Sequence, residues 1–174
     1  RYDNEGILID EVQYPTDDVS TLQRVSGAVT ASDGAFYTIG EKRIGGWVAK
    51  YDSQGQLQWN AWVRAPDADN RKTVYLYRLR LLDNGDLLVA GSNWASSFFN
   101  FDLDASIARI NNRGTVLWQK VFSNEQFDDS ERFADIVPVG DNQFLGIGSF
   151  NSTQVTDSGD EYSRSRGYLS LIQN

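Results

Sequence analysis

The side chains of this chain that could do chemistry are carboxylates, because its 174 residues include no histidine and no cysteine. Thiolate nucleophiles, disulfides, zinc–thiolate sites and imidazole bases are therefore excluded. Clustered aspartates can ligate Ca²⁺, which takes about six to eight oxygens, or can shape turns by bonding their own backbone. The turn role is the expected one, so no cofactor is predicted and calcium is the alternative. The aspartates selected as candidate site residues are Asp67, Asp69, Asp128 and Asp129.

A second group of candidate site residues is aromatic and falls in segment 94–104, which is predicted to be a loop. Loops run over the surface, so these side chains suit a platform for a sugar or peptide, or a contact with another subunit. The alternative is a loop that folds back and buries them in a satellite core. Tyr162, in the polar segment 151–166, is their counterpart further along the chain. The aromatic candidates in segment 94–104 are Trp94, Phe98, Phe99 and Phe101.

A unit of four short strands recurs along the sequence and must position these residues. Asp33-Gly34 and Asn84-Gly85 separate apolar runs, which is the strongest short-range signal for a β-hairpin. Each second strand ends at an equivalent glycine, and no helical periodicity interrupts the pattern. The first two strands of each unit are predicted at 24–31 and 35–40, 73–82 and 86–91, and 132–139 and 143–148. The third strands are predicted at 46–51, 105–110 and 167–172, and the fourth at 57–63 and 116–122.

The N-terminal segment matches only the last part of this unit, since residues 1–8 align with residues 50–57. The C-terminal segment stops after a third strand, so residues 6–14 are predicted to pair with residues 167–172 and complete that sheet. The sequence therefore predicts one all-β domain, a β-propeller-type repeat of four-stranded antiparallel blades. A β-sandwich is the second choice. The predicted divisions are a closing strand at 1–14 and blades at 15–66, 67–124 and 125–174.

The stretch 46–59, with Asp33-Gly34 before it, resembles a blade of the bacterial secreted β-propeller repeat family. Such blades contain Asp-Gly, a strand, Gly, a second strand and then Asp-x-x-Gly-x-x-x-Trp; Asn111 stands where the motif has Asp. The chain is more distantly similar to the tryptophan-docked blades of quinoprotein dehydrogenases, without their cofactor residues. The resemblance implies the fold and no particular activity. Propellers have about four to eight blades, so three imply a half-ring that forms a homo-oligomer, or part of a larger propeller.

Net charge and composition limit the kinds of partner and the cellular locations expected for this chain. A net charge of −8 and a pI of about 4.5 repel a phosphate backbone, so no nucleic-acid partner is expected. No membrane span is expected either, because no stretch of about 18 apolar residues occurs. A cysteine-free acidic chain suits an extracellular or periplasmic location.

These observations lead to two functional hypotheses. The first is a non-catalytic extracellular or envelope-associated binding or scaffolding module that holds a protein or glycan on its acidic, aromatic loop face. The alternative is a carboxylate-based carbohydrate-active enzyme, which needs two carboxyl groups about 5 to 9.5 Å apart in a propeller cleft.

Overall fold

A computed structural model describes residues 4–8, 23–42, 45–64, 73–96, 101–122, 130–140, 142–156, 158 and 161–173. These residues form eleven strands in three antiparallel sheets, and no helix occurs among them. The predicted all-β chain of repeated antiparallel sheets is confirmed. We number the sheets 1 to 3 along the chain.

Sheets 1 and 2 are four-stranded meanders, so each strand pairs with the next one in the sequence. Sheet 3 has three strands in the described part of the chain, in the order β11-β10-β9. Sheet 1 contains β1 (Gln23–Thr30), β2 (Phe36–Lys42), β3 (Gly45–Tyr51) and β4 (Leu57–Val63). Sheet 2 contains β5 (Thr73–Leu81), β6 (Leu87–Ser96), β7 (Phe101–Ile110) and β8 (Val116–Phe122). Sheet 3 contains β9 (Ser130–Gly140), β10 (Gln143–Val155) and β11 (Glu161–Gln173).

The sheets pack face to face, with sheet 2 between the other two. Strand residues alternate between the two faces of a sheet, so sheet 2 contributes to two separate cores. Its Leu87, Val89, Ala108 and Ile110 lie in one core with Tyr37, Ile39 and Val48 of sheet 1. Its Leu88, Ala90, Ala105 and Ile107 lie in the other core with Phe133, Phe144 and Ile172 of sheet 3.

Two equivalent tryptophans link neighbouring sheets. Trp59 of sheet 1 donates its indole N–H to the carbonyl of Asn112 in the β7–β8 turn at 3.1 Å. Trp118 of sheet 2 lies 5.9 Å from the ring of Phe144 in sheet 3. Both tryptophans therefore contribute to the packing between neighbouring sheets.

The predicted loop at 94–104 is wrong over most of its length, and the polar segment 151–166 is also largely strand. Strand β6 continues to Ser96 and β7 begins at Phe101, with Trp94 paired to Leu103. Strands β10 and β11 likewise pair from Gln143 out to Val155, which lies opposite Glu161. Polar or aromatic residues can continue a hairpin because ladder hydrogen bonds use backbone groups, which every residue except proline can donate.

The predicted closing strand lies mostly outside the described residues. Residues 4–8 are described, with an isolated β-bridge at Leu8, and residues 9–14 are not. Ile7 and Leu8 are exposed. The pairing of residues 6–14 with β11 therefore stays a prediction.

Candidate functional site

The antiparallel topology gives each sheet two different ends. Hairpin turns join β1 to β2, β3 to β4, β5 to β6, β7 to β8 and β9 to β10 at one end, which we call the turn end. The strand termini that border residues 43–44, 97–100 and 157–160 lie at the opposite end, which we call the loop end. The sequence placed its candidate binding face at this loop end.

Most of the candidate site residues lie outside the described part of the chain. Phe98 and Phe99 fall in 97–100, Asp67 and Asp69 in 65–72, and Asp128 and Asp129 in 123–129. The separation between these carboxylates, on which the glycosidase alternative depends, is therefore not described.

The other three candidates lie on strands near the loop end. Trp94 is half-buried and pairs with Thr73 on one side and Leu103 on the other. The backbone of Phe101 pairs with Ser96, and that of Tyr162 pairs with Gln154. The structure thus describes the side chain of one candidate, Trp94, at the margin of the loop end.

Buried polar side chains collect beneath the loop end of the sheets. Ser92, Asn93 and Ser106 of sheet 2 are buried, as is Glu131 near the start of β9. Glu131 shares its face of β9 with Phe133, the side that packs against sheet 2. Sequence reasoning missed Ser92, Asn93 and Ser106, because no local pattern shows which strand residues a neighbouring sheet will cover.

Asn93 combines deep burial with an acceptor that the described residues do not satisfy. It is 3% exposed and pairs with Val74 and Asp104 in the ladder, while its side-chain Oδ1 finds no hydrogen-bond donor among the described residues. A buried polar atom without a partner is costly, typically about 1 to 3 kcal/mol. Among the described residues, the loop end of sheet 2 therefore has an unsatisfied acceptor on the face toward sheet 1, whereas the neighbouring Trp94 lies on the face toward sheet 3.

Tyrosines from β5 extend this polar region. The hydroxyl groups of Tyr77 and Ser92 lie 3.0 Å apart in a hydrogen bond. Burial raises the pKa of the Tyr75 hydroxyl above its ordinary value of 10.0, and the negative charges of Glu41 and ionised Tyr77 raise this pKa further. Tyr75 thus stays protonated through neutral pH and keeps its hydrogen-bond donor.

A cleft of about 480 Å³ opens at the turn end between sheets 2 and 3. Leu82, Arg109, Pro138 and Phe144 are among the residues that line it. Two charged residues, Asp83 and Arg109, line the cleft. The guanidinium of Arg109 is paired with Asp86: Nε donates to Oδ2 of Asp86 at 2.8 Å, and Nη2 lies 2.8 Å from the same oxygen.

The Arg109–Asp86 pair joins two turns. Asn84 donates to Oδ2 of Asp86 at 2.9 Å, and Nη1 of Arg109 donates to Oδ1 of Asn142 at 3.3 Å. The pair therefore fastens the β5–β6 turn of sheet 2 to the β9–β10 turn of sheet 3. The polar groups at this cleft are thus used to hold two turns together. The loop end is therefore the stronger candidate for a ligand site.

Within the described ranges, no three His, Cys, Asp or Glu side chains are grouped so as to hold a metal ion. None of the described segments forms a helix with the length and apolar character that spanning a bilayer requires.

No protein-family model matches the chain, and no characterised protein is significantly similar to it in sequence.

Proposed function

We propose that this chain is a non-catalytic extracellular or envelope-associated binding module that holds a protein or glycan ligand at its loop end. The observation that carries the proposal is the pairing of an aromatic side chain with fixed buried polarity on one face of sheet 2: half-buried Trp94 lies on the same face of β6 as Ser92, whose buried hydroxyl is hydrogen-bonded to Tyr77. Binding sites typically combine an apolar or aromatic surface with a few fixed polar groups.

The rigid frame beneath this region supports the same function. Ser92 and Ser106 are buried on opposite faces of sheet 2, and Tyr77 fixes the hydroxyl of Ser92. Sites built on strands hold their side chains more firmly than sites on loops, so less entropy is lost on binding. The proposal further assigns an acidic rim of this site to Asp67, Asp69, Asp128 and Asp129, which belong to the chain segments between β4 and β5 and between β8 and β9.

The proposal is tested by selecting a ligand and then locating it. The chain is applied to an oligosaccharide array and to a displayed peptide library, and the strongest binder is titrated by calorimetry against wild type, Trp94→Ala and Leu117→Ala. Leu117 is exposed on β8 near the turn end, which makes it the control. Loss of an aromatic anchor costs about 1 to 2 kcal/mol, so Trp94→Ala should weaken binding roughly tenfold or more while Leu117→Ala does not.

Two results would count against the proposal. Equal affinities for Trp94→Ala and wild type would place the ligand elsewhere. Release of new reducing ends from a bound oligosaccharide, lost in Asp67→Asn or Asp128→Asn, would favour the glycosidase alternative.

A further inference from the structure

The packing of sheet 2 on sheet 1 shows what covers one face of each sheet. Leu76 of β5 lies over Gly46 of β3, where an added Cβ would stand 2.5 Å from the Leu76 side chain. Leu79 of the same strand approaches Ile39 and Gly27 in sheet 1. The first strand of sheet 2 therefore provides apolar knobs, and the β2–β3 surface of sheet 1 provides the socket.

Strand register identifies the same socket in every sheet. Gly40, Gly91 and Gly148 end equivalent segments and pair with Trp47, Ser106 and Tyr168, respectively. Gly46, Ala105 and Gly167 are therefore equivalent positions, one residue before these partners. The residues that follow Trp47, Ser106 and Tyr168 are equivalent for the same reason. They are Val48, Ile107 and Leu169.

The socket of sheet 3 is open and apolar. Val48 is 0% exposed and Ile107 is 1% exposed, whereas Leu169 is 68% exposed. Leu171 and Ile147, on the same face, are also exposed. Above Gly167 the nearest atom to an added Cβ is a backbone oxygen 3.9 Å away, so the small-residue recess that admits Leu76 in sheet 1 is present and unfilled among the described residues.

The knobs of sheet 1 are unburied in the same way. A bulge in the first strand places Val25, Leu76 and Phe133 at equivalent positions, opposite Gly40, Gly91 and Gly148. Leu76 is 3% exposed and Phe133 is 0% exposed, but Val25 is 49% exposed. Ala28 is exposed too, although its counterparts Leu79 and Ile136 are buried.

We propose that a second copy of this chain docks its β1, through Val25 and Ala28, onto the open socket of sheet 3 formed by Ile147, Gly167, Leu169 and Leu171. The two surfaces are the unmatched halves of one interface that the chain already makes twice internally, so the contact continues an existing packing arrangement. Such a head-to-tail contact closes into a ring when the rotation allows and extends as a filament otherwise. This inference does not depend on the loop-end ligand site.

The test uses one substitution on each half of the interface. Wild type, Val25→Asp, Leu169→Asp and the exposed control Leu117→Asp are examined by sedimentation velocity across a concentration series, with circular dichroism to verify folding. An unpaired charge at a buried contact is strongly unfavourable, so Val25→Asp and Leu169→Asp should each raise the dissociation constant at least about tenfold. Leu117→Asp should self-associate as wild type does.

Mixing the two interface variants distinguishes a head-to-tail contact from a symmetric one. An equimolar mixture of Val25→Asp and Leu169→Asp retains one intact knob and one intact socket, so it should form a complex that neither variant forms alone. Monomeric wild type overturns the proposal. A Leu169→Asp defect without a Val25→Asp defect also overturns it, because it would show socket meeting socket.

The absence of cysteine from the sequence permits a chemical check of the same geometry. Val25→Cys mixed with Leu169→Cys should oxidise mainly to the mixed disulfide-linked dimer. A mixture of Leu117→Cys with Leu169→Cys is the control, and equal cross-linking in both mixtures would contradict the specific pairing.

Discussion

Gly91 illustrates how a single residue records the packing of its neighbours. The first strand of sheet 2 bulges between Leu76 and Arg78, which presses the carbonyl of Tyr75 against Gly91. An added Cβ would stand 1.8 Å from that oxygen, and at the equivalent Gly40 it would stand 2.0 Å from the carbonyl of Arg24. The repeated glycine is thus required by a close backbone approach.

Substitution of this glycine should be strongly destabilising. Gly91→Ala must displace backbone rather than a flexible side chain, so we expect a loss of about 3 kcal/mol or more in the free energy of unfolding measured with urea. Gly140→Ala is the matched control, because its added Cβ would lie 3.5 Å from the exposed Gln143 side chain, at an ordinary contact distance. Equal effects of the two substitutions would contradict the close-approach explanation.

The Arg109–Asp86 pair makes a second prediction for individual residues. Both side chains are mostly buried, at 14% and 12% exposure. Arg109→Met leaves the Asp86 carboxylate without its cation and should cost about 3 kcal/mol of unfolding free energy. Arg109→Met combined with Asp86→Leu should recover part of this loss, and the exposed Arg78→Met should change stability by less than about 0.5 kcal/mol. A double variant no more stable than Arg109→Met would argue against the charge explanation.

The raised pKa of Tyr75 predicts that the stability of the protein changes with pH in the alkaline range. Its pKa in the folded state lies above the ordinary value of 10.0, so the folded state binds this proton more tightly than the unfolded state. The contribution is full below the unfolded pKa and is lost as pH rises from about 10 through the folded pKa. Between neutral pH and this alkaline range, the unfolding free energy of Tyr75→Phe should therefore fall by less than that of wild type. Identical alkaline unfolding curves would exclude this role for Tyr75.

At the scale of the element, the hairpin turns show why aspartate and asparagine recur in the unit. Oδ1 of Asp52 accepts the backbone N–H groups of Gln54 and Gln56 at 3.0 and 2.8 Å. Oδ1 of Asn111 accepts those of Arg113 and Thr115 at 3.0 and 2.9 Å. An amide oxygen replaces a carboxylate oxygen without loss of the bonds, so Asn111 is a conservative departure from the motif. The glycines that follow in these turns, Gly55 and Gly114, have φ near +82° and +85°.

The same turn chemistry leads us to expect little response to calcium removal. If the aspartates of segments 65–72 and 123–129 also bond backbone groups, EDTA should leave the melting temperature unchanged. A bound Ca²⁺ at a hundredfold excess over its dissociation constant would add about 2.7 kcal/mol, which corresponds to a melting shift of several degrees. A fall of that size with EDTA, reversed by added Ca²⁺ and missing in Asp67→Asn or Asp128→Asn, would replace the turn interpretation with a metal site.

At the scale of the whole molecule, stability depends on the stacking of sheets that cannot bury both faces alone. Trp59, Trp118 and the apolar residues of sheet 2 reach neighbours more than 20 positions away in sequence, and the Trp59–Asn112 bond spans 53 residues. Inter-sheet bonds such as Ser26 Oγ to the Leu76 carbonyl and Arg80 to Asp135 at 2.7 Å join the first strands. Damage to one sheet should therefore weaken the adjoining sheets as well.

The N-terminal segment provides a test at this scale. If residues 6–14 pair with β11, deleting residues 1–14 exposes an unpaired strand edge and the chain should aggregate, as followed by light scattering. Deleting only residues 1–5, which precede Ile7 and Leu8, is the control. A 1–14 deletion that stays monodisperse and melts as wild type would show that this segment does not complete sheet 3.

The sequence by itself determined the local elements: the fourth strands at 57–63 and 116–122 agree with β4 and β8 residue for residue. Turn glycines, Asx residues and alternating apolar positions act over a few residues, so a one-dimensional pattern contains them. Tertiary structure alone decided that 94–104 is largely strand, that Asn93 is buried, and that Arg109 reaches Asp86. Tertiary structure also decided that Ile107 is buried and its counterpart Leu169 exposed. The sequence does not distinguish these two positions, because both residues are apolar. Burial depends on which sheet lies opposite, and that is set by contacts between residues far apart in the chain.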